Sequence, residues 1–403
     1  MNMLTKTIPG AVPVTAQALP SWLTFLLALS CGLIAANVYY AQPLIRLISV
    51  DLGLSLQAAG LIVTLTQLGY ITGLIFVVPL ADLIETKRLT VSVMALSILA
   101  LIGAALATKA EAFLLACMFL GLGSVTVPIL VPHAAHLVPE AVRGRTVGNL
   151  MSGMMLGIML ARPISSLIAD HSSWHTVFIV SAAVMTLLAI SLHFALPTRK
   201  PQGKFSYGHL LGSMITLARQ TPVLRRRAIY HFFQFAAFIL FWTVTPLLLT
   251  GPVFHLSQTG VALFALAGVA GAIAAPIAGR ASDRGWTRPA TALGMLAVAI
   301  AFLITHIAEP GSPLALGLLV TAAILLDFGA TATLVLGQRV IFGLGGEIRG
   351  RVSGVYMIIW YFGGALGSSV GAWAYAHGGW ELASWVGLLL PVIGLLYFAT
   401  EKE

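Results

Sequence analysis

The stretch "RGRTVGNLMSGMMLGIMLARPISSLIADHSSW", residues 143–174, has a second copy in the chain. That copy is "RGRVSGVYMIIWYFGGALGSSVGAWAYAHGGW", residues 349–380, lying 206 positions later. "RGRTVG" falls on "RGRVSG" and "HSSW" on "HGGW", with one apolar run between them in each case. A single offset kept across a whole apolar run marks a duplicated unit about half the chain long. A looser pair, "PLADLIETKR" at 79–88 and "RASDRGWTRP" at 280–289, aligns Asp82 with Asp283 at a shift of 201.

The composition identifies the solvent of these runs. Of 403 residues 59% are hydrophobic and 9% charged, where a soluble domain carries about 25% charged residues. So little charge cannot cover a water-exposed surface, and a bilayer is the expected surroundings. The net charge of +9 is dispersed among loops between apolar runs, which excludes a nucleic-acid patch. Cys31 and Cys117 both lie in apolar runs and read as small core residues with no disulfide between them. The first twenty residues hold one lysine and no apolar core of signal-peptide length, so the first span is expected to act as its own insertion signal.

A helix needs about 20 apolar residues to cross the hydrocarbon. The sequence predicts spans near 21–47, 56–80, 89–107, 112–136, 147–169 and 175–196, then near 228–251, 257–279, 290–308, 314–337, 352–374 and 382–399. That is an all-α membrane protein with twelve spans in two groups of six. The expected units are 1–196 and 228–403, joined by a linker at 197–227 that holds an amphipathic helix around 208–219. With the amino terminus inside, every one of the 22 lysines and arginines except Arg46, Lys109 and Arg162 falls on the inner side or in the tails. The positive-inside bias therefore puts both termini and the linker in the cytoplasm. Two parallel repeats place a binding cavity between them near the midplane.

Twelve spans as six plus six, with an Asp-centred basic loop after spans two and eight, resemble the major facilitator superfamily along essentially the whole chain. "GRASDRG" at 279–285 resembles that superfamily's G-x-x-x-D-R-x-G loop at Gly279, Asp283 and Arg284, with the last glycine one residue early at Gly285. In the first copy Asp82, Lys87 and Arg88 match, while Val78, Leu83 and Glu85 depart. The resemblance implies that these loops gate the rocking of the two bundles, more weakly where Leu83 replaces a cation. "ANVYYAQPL" at 36–44 resembles bacterial drug-efflux-like proton antiporters. The resemblance thus implies the bacterial inner membrane, a small-molecule substrate, a monomer, no cofactor, and the proton gradient as driving force.

The repeat also reads the residues around Arg162. "GIMLARPISS" at 157–166 falls on "GGALGSSVGA" at 363–372, so Gly157, Ala161, Ser165 and Ser166 match Gly363, Gly367, Gly371 and Ala372. Small residues four apart form one helix face that lets backbones approach closely. The pattern resembles the exporters' G-x-x-x-G-P-x-x-G-G motif, with Ala161 for the second glycine and Arg162 where proline is usual. Arg162 lies eight residues, about 12 Å of helix, before Asp170. Arginine at the bilayer centre costs from about 2.5 kcal/mol upward. Either it packs by snorkelling and pairing with carbonyls, or it faces the cavity and takes part in coupling or binding.

Acids are few enough to search for a partner. Of the thirteen, only Asp327 is mid-span, thirteen residues into span ten. A carboxyl there can exchange a proton with one side and then the other; alternatively it is a neutral hydrogen-bonding group. The exporters' fourth-span arginine would fall at Cys117, and span one has no acid. By elimination, Asp327 and Arg162 are the expected proton-coupling residues. Asn37, Tyr39, Tyr40 and Gln42 of span one and His231, Gln234 and Trp242 of span seven are cavity candidates. Rings with one polar tip and neutral amides suit an amphipathic or aromatic solute, or else they bond between helices. His133 and His136 lie near the inner end, and His171 and His377 occur in both copies of an outer turn. No nucleotide cradle, metal spacing or nucleophile–base set supports an enzyme. The expected function is proton-coupled efflux of small amphipathic molecules, with metabolite uptake by symport or facilitated diffusion as the alternative. A membrane sensor or scaffold would need a soluble domain or long tail, which the chain lacks.

Overall fold

The computed structural model describes residues 19–198, 206–344 and 349–401. Both tails, with Lys6 and Lys402, and the linker's first part, with Arg199, Lys200 and Lys204, lie outside the described residues. Before the linker come α1 (Ser21–Ala36), α2 (Ile45–Asp51), α3 (Leu56–Ala59), α4 (Leu61–Phe76) and α5 (Thr86–Ala105). They are followed by α6 (Ala110–Gly123), α7 (Thr126–His136), α8 (Glu140–His171) and α9 (Trp174–Ala195). The linker carries α10 (Tyr207–Gln220), and α11 (Pro222–Thr250), α12 (Gln258–Ala265) and α13 (Gly271–Asp283) come next. The chain closes with α14 (Thr287–Ile304), α15 (Pro313–Phe342) and α16 (Arg349–Ala399). No strand occurs among the described residues, as expected where lipid forces each backbone group to find its partner within its own helix.

Among the described residues, ten helical stretches are long and apolar enough to cross a membrane. Helix α16 is two rods, because Gly378 and Gly379 leave helical geometry and Gly379 takes φ +60°, a conformation that glycine adopts without a Cβ clash. The matching "HSSW" ends α8 differently: Ser173 caps α9 by accepting the Thr176 N–H at 3.3 Å. The twelve expected spans are this set with α16 read as two and the 16-residue α1 read with its continuation. That continuation departs from expectation. Span one stops being α-helical after Ala36 and passes through turn residues and a 3-10 turn, Gln42–Leu44, before α2. Pro43, without an N–H, sits in that turn. Spans two, four and eight are also interrupted, at Gly60, at Ser124–Val125 and at the 3-10 segment Leu266–Ala270.

At the small face one packing contact occurs twice. A Cβ on Gly157 would come within 2.1 Å of the Gly32 carbonyl oxygen, and one on Gly363 within 2.2 Å of the Phe232 carbonyl oxygen. The first contact joins α8 to α1 and the second α16 to α11; Gly363 follows Gly157 by 206 positions and Phe232 follows Gly32 by 200. One backbone-on-backbone contact thus recurs in both halves of the sequence. Ala161, Ser165 and Ser166 are buried on the same face, and a Cβ on Gly367 or Gly371 would press on Ala236 or Leu240 of α11. The outer-turn histidines repeat as well: His171 bonds the Leu167 carbonyl at 2.9 Å and His377 the Trp373 carbonyl at 2.8 Å. Large apolar side chains such as Leu99, Leu187, Phe194, Leu293 and Leu396 remain exposed, the surface that lipid would cover.

Helices from the two sides of the linker meet mainly as α8 on α12 and α16 on α3 and α4. Several side-chain hydrogen bonds between these two groups lie at one end. Thr64 Oγ1 lies 2.8 Å from both Ser368 Oγ and Ser369 Oγ, Gln57 Nε2 lies 3.2 Å from His377 Nε2, and the Thr259 hydroxyl donates to Asp170. This clasped end is the one that the charge distribution expects to face outward. At the opposite end α10 runs across the helix ends. It buries Leu210 and Met214, and its Tyr207 hydroxyl donates to the Phe76 carbonyl at 2.7 Å.

Candidate central site

The 3-10 turn after α1, the middle of α8, the middle of α11 and the middle of α15 bring four side chains together. Arg162 is 3% exposed, and its Nε donates to Gln42 Oε1 at 2.9 Å. The guanidinium carbon lies 4.4 Å from the Trp242 ring centre, 5.1 Å from that of Tyr39 and 5.4 Å from that of Phe238. On the other side of the site the Trp242 indole donates Nε1–H to Asp327 Oδ2 at 2.9 Å. Arg162 and Asp327 therefore make no direct ion pair among the described residues. The indole stands between them, its face on the cation and its edge on the carboxylate.

The arrangement explains how a buried guanidinium is tolerated. A desolvated cation–ring contact stabilises by about 2 kcal/mol or more, and a hydrogen bond to a charged group by about 1.5–3 kcal/mol. Together they offset the lower estimates for placing arginine at the bilayer centre. Gln42 can be oriented only one way. Arginine has no acceptor, so the amide oxygen must face it and the amide nitrogen must point away. That nitrogen and Arg162 Nη2 are both buried without a hydrogen-bond partner among the described residues. Two residues that the sequence did not single out complete the site. Phe238 supplies the third ring, and Gly268 makes room: a Cβ there would lie 3.2 Å from Trp242 Cζ2 and 3.3 Å from Asp327 Oδ1.

The remaining cavity candidates lie elsewhere. Asn37 turns back toward α9, where its Oδ1 accepts from Ser181 Oγ at 2.6 Å. Tyr40 is partly buried beside the core around α1. His231 sits in an aromatic cluster, 4.6 Å from Trp360 and 5.9 Å from Tyr356 between ring centres. Gln234 is buried and lies toward Gly394 of the last rod. His133 is buried and His136 exposed at the end of α7. A cavity of about 380 Å³ is lined by Arg46, Asp51, Thr250 and Gln258 among others, and by none of the four central side chains.

The two basic loops differ. Asp283 forms an ion pair with Arg339 of α15, and Arg284 lies 6.0 Å from the Trp286 ring centre. In the other copy Asp82 is exposed with no ion pair among the described residues, Lys87 is half-buried, and Arg88 pairs with Glu85 at 3.2 Å. No group of three metal-ligating side chains occurs among the described residues.

Comparison with known proteins fits this geometry. The Major Facilitator Superfamily profile matches residues 25–316 and 228–403. An uncharacterized transporter, YgaY of Escherichia coli O157:H7, is 37% identical over 374 residues, covering 93% of this chain and 94% of the relative. The probable transporter SCO4007 of Streptomyces coelicolor is 30% identical over 88% of this chain and 82% of its own. Among solved structures, the nucleoside transporter NupG superposes with a TM-score of 0.74 at 16% identity, covering 94% of this chain and 100% of that one. A bacterial homologue of the human lysosomal transporter Spinster, inward-facing and unoccupied, gives 0.73 at 15% identity, covering 94% and 96%. The chain is a multi-pass membrane protein that belongs to the Major Facilitator Superfamily of transporters.

Proposed function

We propose that the protein carries small amphipathic organic molecules through the central site by alternating access, driven by protons exchanged at Asp327. The observation that carries this reading is the meeting of the one mid-span cation and the one mid-span acid through Trp242, with Arg162 on α8 and Asp327 on α15. Residues 1–196 and 228–403 act as two six-helix bundles, and 197–227 joins them on the cytoplasmic side of the bacterial inner membrane. With both termini inside, the clasped end faces outward. Rocking would break the Thr64, Gln57 and Asp170 contacts and change the surroundings of the Trp242 ring. The basic loops gate this motion, the Asp283 copy more firmly than the Asp82 copy. No cofactor enters the cycle.

Efflux in exchange for protons is the direction that the drug-efflux-like "ANVYYAQPL" run supports. Uptake together with protons is a second reading, supported by the likeness to the nucleoside transporter NupG. Purified protein in liposomes with an imposed pH gradient, tested on a panel of dyes and metabolites, separates the two. Exchange accumulates solute in the acidic compartment, and co-transport accumulates it in the alkaline one. If no solute in the panel responds to the gradient, proton coupling is wrong. Orientation has its own test: Ser206→Cys in intact cells should be unreactive to an impermeant thiol reagent added outside, and ready labelling would invert the topology.

A further inference from the structure

The two unmet nitrogens of the Arg162–Gln42 pair are both donors. Arginine carries only N–H donors, and Gln42 must give its oxygen to Arg162, so its remaining edge is also a donor. Arg162 Nη2 and Gln42 Nε2 are buried with no acceptor among the described residues. The nearby carboxylate does not supply one, because Asp327 Oδ2 is engaged by the indole edge on the far side of Trp242. The Arg162–Gln42 pair thus presents a donor edge around a cation whose one carboxylate neighbour, Asp327, stands across the Trp242 ring without direct contact, and buried charges are stable when paired. Around that edge stand three rings, Tyr39 from the turn after α1 and Phe238 and Trp242 from α11.

We propose that the substrate is an organic monoanion with a planar apolar body, its carboxylate or similar oxyanion held by Arg162 and Gln42. This rests on the transport reading above and narrows its substrate class. An oxyanion supplies acceptors for both unmet donors and the direct counter-charge that Asp327, across the Trp242 ring, does not, and charge-assisted bonds of guanidinium to carboxylate are the strong ones. A neutral solute would meet the donors and leave the charge uncompensated. A cationic solute would meet neither. The apolar body would lie against the ring faces, where aromatic surfaces are already desolvated.

The test is a matched set on one ring system: 2-naphthoate, 2-naphthamide and 2-naphthylmethylammonium, titrated calorimetrically into the purified full-length protein. The acid should bind at least about tenfold more tightly than the amide, with the ammonium weakest. Arg162→Gln should erase the preference for the acid, and Arg162→Lys should keep part of it. Should Arg162→Gln fail to fold, Gln42→Glu supplies an internal carboxylate to the guanidinium and should likewise erase the preference. Amide or ammonium binding as tightly as the acid, an acid preference that survives these charge changes, or no binding of any of the three overturns the assignment. The transport reading fails separately. Liposomes that move all three probes without charge preference keep transport and refute the anion, whereas acid-selective binding with no gradient-driven movement does the reverse.

Discussion

Arg162 and Ser368 occupy the same place in the two copies of one helix, 206 positions apart. Each reaches across to the other set of helices: Arg162 lies under Trp242, and Ser368 shares a hydrogen bond with Thr64. The faces beside them are alike, since Gly157 and Gly363 press on the backbones of α1 and α11 in equivalent contacts. A backbone-on-backbone contact leaves no space for any larger residue, so the repeat keeps its packing face. A side-chain contact can be exchanged for another chemistry, so the copies part company at the centre. One copy supplies a cation, and the other supplies a hydroxyl to the clasp.

The largest effect should come from breaking what the copies share. Gly157→Leu and Gly363→Leu each drive a side chain into a carbonyl, which should destabilise by about 3 kcal/mol or more. Thermal unfolding in detergent should show both losing the folded state to a similar extent. A well-folded Gly157→Leu protein with near wild-type melting would mean that the shared face is not a packing face.

The next largest should come from making the copies alike. Arg162→Ser gives α8 the residue of its partner copy and removes the cation beneath Trp242. Transport should fall by about tenfold or more, the equivalent of losing one charge-assisted contact, with membrane level retained. Loss of protein yield with unchanged specific transport would return Arg162 to a packing role.

Thr64→Val tests the other copy. It removes the hydroxyl shared by Ser368 and Ser369 and should weaken the clasp by about 0.5–1.5 kcal/mol per bond. Spin labels at positions 57 and 377 should then report a larger population of long distances. An unchanged distribution would mean that the clasp does not hold that end shut. The smallest effect belongs to the loops. Exposed ion pairs contribute about 0–1 kcal/mol, so Asp283→Asn should slow transport several-fold at most, and Asp82→Asn less. Equal effects would remove the distinction between the paired and the unpaired loop.

Much of this was legible in the sequence because it rests on periodic or additive signals. The repeat offset, the four-residue spacing of small side chains and the count of apolar runs all survive small errors of register. Scarcity of charge helped at the centre: with one mid-span cation and one mid-span acid, elimination joined Arg162 to Asp327. Their connection through Trp242 was not legible. Trp242 stood out only as a ring with a polar tip, and Phe238 and Gly268 carried no signal of their own. Asn37 and Gln42 were grouped on one apolar run, yet the chain leaves helical geometry between them and sends one toward α9 and the other toward Arg162. Helical periodicity cannot assign faces through such a break, where Pro43 lacks the N–H that a continuing helix would use. The clasp was equally hidden, since serines and threonines in apolar runs read as helix-packing residues.

The most direct test of the central claim is gradient-driven transport by Asp327→Asn beside wild type in the same liposomes, with solute exchange measured at zero gradient in both. The neutral amide keeps the shape and an acceptor for the Trp242 N–H but cannot carry a proton. Asp327→Asn should still exchange solute across the bilayer while failing to accumulate it against a gradient. Accumulation by Asp327→Asn at the wild-type level under the same pH gradient would contradict the account.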